Sequence, residues 1–309
     1  MWNNINFLSN LYQMGESIVI RLINIIIFFI NLLPEKIAEP FQFQFMQRAL
    51  LTSILVGLIC GVLSCYIVLK RWSLLGDAIS HAVLPGVALA YLLGLPFFLG
   101  AFVTGSLTSI GIGFIERNSR IKEDAAMGIM FTGSFALGIV IISRIATSTH
   151  LMHILFGNVL GVRMPVLLIT LLVTIISLII LFLFHRHFFL YTFDPIQANI
   201  SGMNTSLIHY GLMLLLTLCI VASLETVGII LVVAMLITPG STAYLIANDL
   251  RTMMIISAIV GIVSSIIGLY LSFVFNIASG GAIVLVATIF FLITFIFAPE
   301  HGLINKILA

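Results

Sequence analysis

Long stretches of this sequence contain no charged residue. Asp, Glu, Lys and Arg are absent from the segments 49–69, 78–115, 164–185, 195–224, 226–248 and 252–299. A membrane-spanning helix needs about 20 apolar residues, so each segment can hold one span and the longest can hold two. Only 8% of the 309 residues are charged, whereas roughly 25% are charged in an ordinary soluble domain. Most of the protein surface must therefore face lipid.

The apolar segments indicate helices rather than strands. In lipid every backbone N–H and C=O must be hydrogen-bonded within the protein, which a helix achieves inside a single segment. A membrane β-barrel would instead show ~10-residue segments of alternating hydrophobicity, and the sequence lacks that pattern. We therefore predict an all-α, multi-pass integral membrane protein with about 8–10 transmembrane helices per protomer. The expected spans are 48–69, 77–95, 97–115, 125–144, 164–184, 206–224, 226–247, 252–275 and 281–299.

The N-terminal residues differ in composition from the rest of the chain. Residues 1–45 are rich in Asn, Gln and Phe and contain one short apolar run, Ile18–Leu33. By its length this run either spans the membrane or lies in the interface. We predict that residues 46–300 form a single transmembrane domain and that residues 301–309 form a cytoplasmic tail.

Positive residues predict the orientation of the spans, because loops rich in Lys and Arg stay in the cytoplasm. The basic positions that follow odd-numbered spans are Lys70 and Arg71, then Arg117, Arg120 and Lys122, then Arg186 and Arg251. Arg144 and Arg163 fall on the opposite side and do not fit this pattern. The break at Glu225–Gly228 is tight, so we expect one of its flanking helices to be short or half-spanning.

Asp77 and His81 are the sharpest candidates for a functional site. An ionisable residue inside a span costs roughly 2.5–3.5 kcal/mol on insertion scales, so its presence suggests a function. The two residues are four apart, which places them on one face of a helix. If the helix continues from Arg71, they lie about 9 and 15 Å above that cytoplasmic anchor. The sequence also allows a structural alternative, in which the pair forms a hydrogen bond that only fixes helix packing.

A carboxylate and an imidazole together suit manganese, zinc or ferrous iron, and the absence of a required thiolate argues against copper(I). One chain supplies only two ligands, so a two-fold homodimer would bring two Asp77 and two His81 side chains to a shared axis. Pro85 and Gly86 follow directly and would let the helices bend and approach closely. The neutral imidazole is the ligating form, so low pH should weaken metal binding.

The other candidates are weaker. His150 and His153 lie in an outward loop, where they could collect ions at the entrance or could simply be solvated. Glu225 could line the outer vestibule or could cap the following helix. His209 is expected at the membrane interface. The cysteines Cys60, Cys65 and Cys219 lie within apolar runs and are expected to be packing residues.

The sequence contains no motif for energy conversion. None of the lysines follows a glycine, so the phosphate-binding pattern GxxxxGK[ST] is absent. We therefore expect a transport subunit rather than an enzyme, with no permanently bound cofactor. The sequence also lacks a basic cluster typical of nucleic-acid binding. If transport is driven by ATP, another subunit must hydrolyse it.

Several motifs resemble the membrane permeases of the zinc and manganese ABC importers. The first is KRWSLLGDAISHAVLPGVALAYLLG, which ends at Gly94. HILFGNVLG (153–161), VGIILVVAMLITPGSTAYL (227–245) and the glycine-rich joint before the last span also match in order and spacing. The resemblance runs from about residue 45 to residue 300 and does not include the N-terminal 45 residues.

The resemblance implies a homodimeric, all-helical permease in the bacterial plasma membrane. Two cytoplasmic ATP-binding subunits would bind below it, and an extracytoplasmic metal-binding protein would deliver the ion from above. The Asp and His of the GDAISHAVLPG motif, which correspond to Asp77 and His81, would form the central metal site. The sequence of this motif is more similar to the manganese branch of the family than to the zinc branch. Zinc or iron transport remains an alternative within the family.

Two cytoplasmic loops could contact the ATP-binding subunits. One is 239–252, which contains Gly240, Asn248, Asp249 and Arg251; its surroundings resemble the coupling region of the cobalamin and siderophore importers. The other begins at Asp194, whose Asp-Pro sequence suits a short capped helix. The sequence favours the first loop.

Three other classes of protein compete with a metal-importing permease. A siderophore or cobalamin permease would need a wide path and no metal ligands. An ATP-independent metal transporter should show inverted repeats and more intramembrane acids. A purely structural membrane subunit would leave the charge within a span unexplained.

Overall fold

The computed structural model describes residues 2–32, 34–144, 157, 159–298 and 302, and these residues form helices joined by short segments. The α-helices are α1 (Trp2–Ile30), α2 (Glu35–Ala38), α3 (Gln44–Lys70), α4 (Leu75–Ala82), α5 (Leu84–Leu93), α6 (Phe97–Asn118), α7 (Glu123–Ser143), α8 (Met164–Leu183), α9 (His185–Phe193), α10 (Pro195–Ile200), α11 (Thr205–Val227), α12 (Ile229–Tyr244), α13 (Leu250–Phe275) and α14 (Ser279–Phe297). Two 3-10 turns accompany them, at Glu39–Gln42 and Val159–Gly161.

The helices confirm the predicted all-α membrane architecture. In the described part of the chain, nine helices or helix pairs are long and apolar enough to cross a membrane. The predicted span 77–95 corresponds to the consecutive helices α4 and α5, which together cover Leu75–Leu93. The N-terminal apolar run belongs to α1, in which Tyr12–Ile30 is long enough to span.

The expected short helix is α12. It has 16 residues, so at ~1.5 Å per residue it covers about 24 Å of a hydrocarbon core ~30 Å thick. Gly228, with φ +81°, separates it from α11. A Cβ atom on Gly157 would overlap the backbone of Gly228, so Gly157 packs directly against this break. The break between α11 and α12 is therefore a packed joint, and only a residue without a side chain fits at position 157.

Helix α3 forms the centre of the protomer. Its most apolar window is 83% buried, and it packs against α8, α12 and α13. Small residues allow these close approaches: Ser64 Oγ on α3 lies 2.9 Å from Ser257 Oγ on α13, and Gly240 on α12 abuts Ser64. The free cysteines Cys60, Cys65 and Cys219 are buried, as expected for packing residues.

Contacts join helix ends that were predicted to lie on one side of the membrane. The end of α3 contacts α9 through Lys70, whose Nζ donates a hydrogen bond to Tyr191 O. Glu116 near the end of α6 lies against His209 near the start of α11. These ends therefore share one side, in agreement with the distribution of basic residues. We refer to this side as the inner side.

Candidate functional site

A tight turn sets the start of the helix that carries Asp77 and His81. Arg71 ends α3 in the left-handed conformation, with φ 61°, and a short turn then leads to Leu75 at the start of α4. The depths of about 9 and 15 Å assumed a helix continuous from Arg71, and this turn shows that the assumption does not hold. Trp72 within the turn is 1% exposed and anchors it to the protein interior. The depth of the pair is therefore set by α4 alone.

Asp77 and His81 face the same direction on α4, as their spacing predicted. His81 Nε2 lies 3.5 Å from Asp77 Oδ1, and the two side chains are 29% and 46% exposed, respectively. The His81 ring also packs against Phe131 and Phe135 of α7, with centroid distances of 5.3 and 5.4 Å. The aromatic pair fixes one side of the imidazole while its Nε2 edge stays beside the carboxylate.

α4 and α5 meet immediately after this pair. α4 ends at Ala82 and α5 begins at Leu84; Pro85 occupies the first turn of α5, where its missing N–H is not needed. Gly86 packs so closely against Gly100 of α6 that a Cβ atom at position 86 would overlap the Gly100 carbonyl group. The predicted close approach at Gly86 is confirmed. The backbone stays helical across Val83, with hydrogen bonds from Val83 N to Ile79 O and from Val87 N to Val83 O, so α4 and α5 together form one span.

Within its described residues, a single chain brings together fewer side chains than a metal site requires. Within the described residues, no group of three or more His, Cys, Asp or Glu side chains is placed to hold a metal ion. Asp77 and His81 supply one carboxylate and one imidazole, whereas divalent ions of this class take four to six ligands. Both side chains remain partly exposed on a span that is otherwise 72% buried. The arrangement thus has open positions for ligands from another molecule.

The other predicted entrance residues have different outcomes. His150 and His153 lie outside the described residues. Glu225 belongs to the last turn of α11 and lies within electrostatic range of Arg163 at the start of α8. The N-cap of α12 is Gly228, and no described side chain caps that helix. Glu225 therefore does not act as its cap, and its place in a vestibule stays a prediction.

The two candidate coupling loops differ from each other in structure. α12 continues to Tyr244, so Gly240 lies inside a helix, and the predicted 239–252 loop is shorter than expected. Asp249 caps α13 by accepting a hydrogen bond from Thr252 N at 2.9 Å. This hydrogen bond holds the pKa of the Asp249 carboxyl below its usual range. Asn248 and Arg251 are exposed beside it.

The other loop contains a helix of its own. Asp194 Oδ1 accepts a hydrogen bond from Gln197 N at 2.8 Å and caps α10, as the Asp-Pro sequence predicted. Ile196 and Ile200, one turn apart on this helix, are 74% and 75% exposed. Two apolar side chains in water on so short a helix form a natural contact surface for another protein.

The structure also contains a polar cluster that sequence reasoning missed. His209 was expected at the membrane interface, but it is 3% exposed. Its Nε2 lies 3.8 Å from Glu116 Oε2, and its Nδ1 lies 2.6 Å from the Tyr191 hydroxyl. Glu116 lies 75 positions before Tyr191, and Tyr191 lies 18 positions before His209, so no local spacing signals their contact.

Comparison with known proteins gives a consistent result. Residues 42–298 match the model of a family described as ABC 3 transport family. A protein of Listeria monocytogenes named "Manganese transport system membrane protein MntC" is 54% identical over 263 residues, covering 85% of this chain and 94% of that protein. A Yersinia pestis protein named "Chelated iron transport system membrane protein YfeD" is 47% identical over 267 residues, covering 86% of this chain and 90% of that protein.

Two solved structures share the fold. PsaBC from Streptococcus pneumoniae in complex with Fab contains a chain that is 46% identical, with a TM-score of 0.79, covering 88% of this chain and 98% of that one. A metal-chelate type ABC transporter in an inward-facing conformation has a TM-score of 0.63 at 16% identity, covering 80% of this chain and 84% of that one. The second likeness concerns the fold alone.

Proposed function

The chain belongs to the ABC 3 transport family, and on that premise we propose that it is the multi-pass membrane permease of an ATP-driven manganese importer in bacteria. The resemblance drawn from the GDAISHAVLPG motif is thereby confirmed at the level of the family. Relatives named as manganese transport proteins, 46–54% identical to this chain, support manganese as the ion.

The observation that carries the proposal is the partial exposure of Asp77 and His81 on one face of a membrane-spanning helix. Two polar groups of this kind do not face lipid without a large cost. They can instead face a shared path in which they replace part of the hydration shell of an ion. A hard carboxylate and a borderline imidazole suit Mn²⁺, and neither requires the soft sulfur ligands that copper(I) prefers.

We propose that two copies of the chain complete the site. Helix α7 supplies Phe131 and Phe135 beside His81, and it also exposes Gly128, Thr132 and Ala136 at intervals of four residues. Small residues at this spacing let two membrane helices approach closely. Pairing of α7 helices around a two-fold axis would place the two Asp77–His81 pairs on the same path.

Disulfide cross-linking tests this dimer. Thr132→Cys should give a covalent dimer in oxidised membranes, because the side chain is exposed and the native cysteines of the chain are buried. Ile179→Cys on α8 is the control, since Ile179 is 58% exposed on a different helix. Equal cross-linking at both positions, or cross-linking only at position 179, would contradict a dimer through α7.

The ATP-binding subunits, in our proposal, bind at α10. The sequence favoured the 239–252 loop, but the part of that loop around Gly240 is buried helix, and Asp249 is already engaged in capping α13. Helix α10 instead presents Ile196 and Ile200 to solvent at a capped, self-contained turn. ATP binding would close the two subunits below, move α10, and open the metal path alternately to each side of the membrane. A separate extracytoplasmic protein would deliver the ion.

Uptake of radioactive manganese tests the site itself. Asp77→Ala and His81→Ala should each reduce uptake at least tenfold, while the permease still inserts and binds its ATP-binding subunits. Asp124→Ala and His185→Ala remove the same chemical groups from exposed positions and should import normally. Normal uptake by a correctly assembled Asp77→Ala variant would refute the site.

Iron is the second candidate, because two relatives with iron in their names are 47–49% identical to this chain. The same two ligand types bind Fe²⁺, and binding strength alone rises from Mn²⁺ to Zn²⁺. Competition by Fe²⁺ and Zn²⁺ against radioactive manganese, in cells without other importers, separates these possibilities. Stronger competition by Fe²⁺ than by unlabelled Mn²⁺ would make iron the substrate.

A further inference from the structure

A chain of polar contacts runs through the inner ends of α6, α9 and α11. The Tyr191 hydroxyl of α9 lies 2.6 Å from His209 Nδ1 of α11. On the other edge of the same ring, His209 Nε2 lies 3.8 Å from Glu116 Oε2 of α6. We call these three residues the inner relay. Each side chain comes from a different helix, so the relay binds three helices at one point.

The relay also contacts the end of α3 and the turn before α4. Lys70 Nζ lies 3.9 Å from the centre of the Tyr191 ring and donates a hydrogen bond to Tyr191 O at 3.4 Å. The edge of Trp72 meets the His209 ring at a centroid distance of 5.4 Å. Because Trp72 is 1% exposed, the turn that leads to Asp77 cannot move without disturbing the imidazole.

The Glu116 oxygen beside Nε2 favours a proton on that nitrogen, and hence a His209 Nδ1 that accepts from the Tyr191 hydroxyl. Burial raises the pKa of Tyr191, so its hydroxyl stays protonated and can donate to His209 Nδ1. A neutral imidazole that accepts at Nδ1 carries its own proton on Nε2. That proton faces the Glu116 carboxylate. Glu116 Oε2 and His209 Nε2 have no closer hydrogen-bond partner among the described residues, so a small approach of α6 to α11 would form a hydrogen bond.

The relay is not a second metal site in this conformation. Among the residues that the structure describes, no three His, Cys, Asp or Glu side chains are placed to hold an ion. The positive charge of Lys70 beside the relay also disfavours a divalent cation. Its position in the fold suggests another role. Tyr191 stands three residues before Asp194, the cap of α10, and Trp72 stands five residues before Asp77.

We propose that Tyr191 and His209 are positioning residues that transmit movement of α10 to α4 and so couple ATP hydrolysis to movement of the metal. This inference rests on the proposed function, because it requires an ATP-binding subunit at α10 and an ion at Asp77. When α10 moves, α9 moves with it, and the short hydrogen bond pulls the His209 ring. The ring in turn presses on Trp72 and on the turn before α4. Loss of the hydrogen bond between Tyr191 and His209 should therefore uncouple ATP hydrolysis from metal movement, while the structures of α10 and α4 stay intact.

The test measures manganese imported per ATP hydrolysed. The full complex of the permease with its ATP-binding subunits is reconstituted in liposomes, and both rates are recorded on the same sample. Tyr191→Phe removes only the hydroxyl and keeps the ring under Lys70. We expect the ratio to fall about fivefold, the order of one lost buried hydrogen bond, with an ATPase rate close to the wild-type rate. Tyr12→Phe is the matched control, because it makes the same change on α1, where Tyr12 is 43% exposed and lies outside the relay, and it should keep the wild-type ratio.

Three outcomes would count against the relay or its premise. An unchanged ratio in assembled Tyr191→Phe, with manganese imported by the wild type, would overturn the relay alone. Failure of the wild-type complex to import manganese would overturn the proposed function and the relay with it. If Tyr191→Phe does not assemble, the ratios of His209→Asn and His209→Leu are compared instead. The Asn amide oxygen can replace the Nδ1 acceptor, whereas Leu has no acceptor. A higher ratio for Asn than for Leu supports the relay, and equal ratios overturn it.

Discussion

Gly86→Ala should destabilise the protein by driving α5 away from α6. A Cβ atom at position 86 would lie 2.6 Å from the carbonyl carbon of Gly100 and even closer to its oxygen. Carbon atoms in contact are normally ~3.5–4.0 Å apart, so the helices must separate by roughly 1 Å. Both atoms on the Gly100 side belong to the backbone and cannot rotate away. Relief therefore requires movement of a whole helix.

The expected magnitude follows from two opposing terms. Overpacking of this kind destabilises the folded state by about 1–3 kcal/mol or more. The higher helix propensity of Ala than of Gly stabilises it by up to ~1 kcal/mol. A net loss of ~2 kcal/mol would lower the Tm by about 4–8 °C, at the usual scaling for large domains. Because α5 continues directly from the helix of Asp77 and His81, manganese uptake should fall as well.

A thermal scan of the purified permease in detergent measures the effect. Gly211→Ala on α11 is the control: no described atom lies within 4 Å of a Cβ atom at that position, so the change should leave the Tm unchanged or raise it slightly. The reasoning fails if Gly86→Ala melts no lower than Gly211→Ala. It also fails if both lose stability equally, because the loss would then not come from the contact with Gly100.

The remaining predictions concern the site and two joints of the fold. Phe135→Ala should raise the KM for manganese uptake about tenfold, because the His81 ring loses one of the two rings that position it; an unchanged KM would exclude that role. Gly157→Ala should lower the Tm in the same thermal scan, because φ is +63° there and the backbone abuts the α11–α12 break; a Tm equal to that of the wild type would contradict the packed joint. Asp249→Ala should lower the Tm at neutral pH but not in acid. Its carboxylate has a lowered pKa, so its stabilisation is present above the ordinary aspartate range and is lost as the pH falls through the folded-state value. A difference in Tm that persists in acid would contradict this reasoning.

The sequence predicted the fold well because its strongest signal is one that lipid enforces. Charge-free segments of about 20 residues must become helices in a bilayer, and the spans 97–115 and 164–184 agree with α6 and α8 within a few residues. The tight break at Glu225–Gly228 likewise predicted the short helix α12. A break between helices was harder to predict when it depended on the backbone conformation of one residue. Arg71 adopts a left-handed conformation that its side chain does not favour, and no glycine marks the turn there.

The candidate site was predictable in part, for a related reason. Asp77 and His81 lie four residues apart, and helical periodicity alone places them together. The aromatic rings beside His81 come from α7, about 50 positions further along the chain, and the Tyr191–His209–Glu116 contacts join three helices. Contacts of this kind depend on how helices pack, which one sequence does not specify. The preference for the 239–252 loop rested on its resemblance to the coupling region of the cobalamin and siderophore importers, and the sequence did not reveal that Pro239 and Gly240 lie within a helix.

Where the structure describes the chain, the Asp77–His81 and Glu116–His209 pairs differ in one way that bears on function. His81 and Asp77 are separated by 3.5 Å and stay 29% and 46% exposed, whereas His209 and Glu116 are separated by 3.8 Å, with His209 almost fully buried. Both side chains of the first pair are accessible at the protomer surface, whereas in the second pair Glu116 is 31% exposed and the His209 imidazole only 4%. A buried imidazole is better suited to hold helices in register. A site on the protomer surface within a membrane must be covered by something other than lipid. In the proposed dimer a second copy of the chain provides this cover, so a variant that abolishes the dimer should lose manganese binding even though Asp77 and His81 remain.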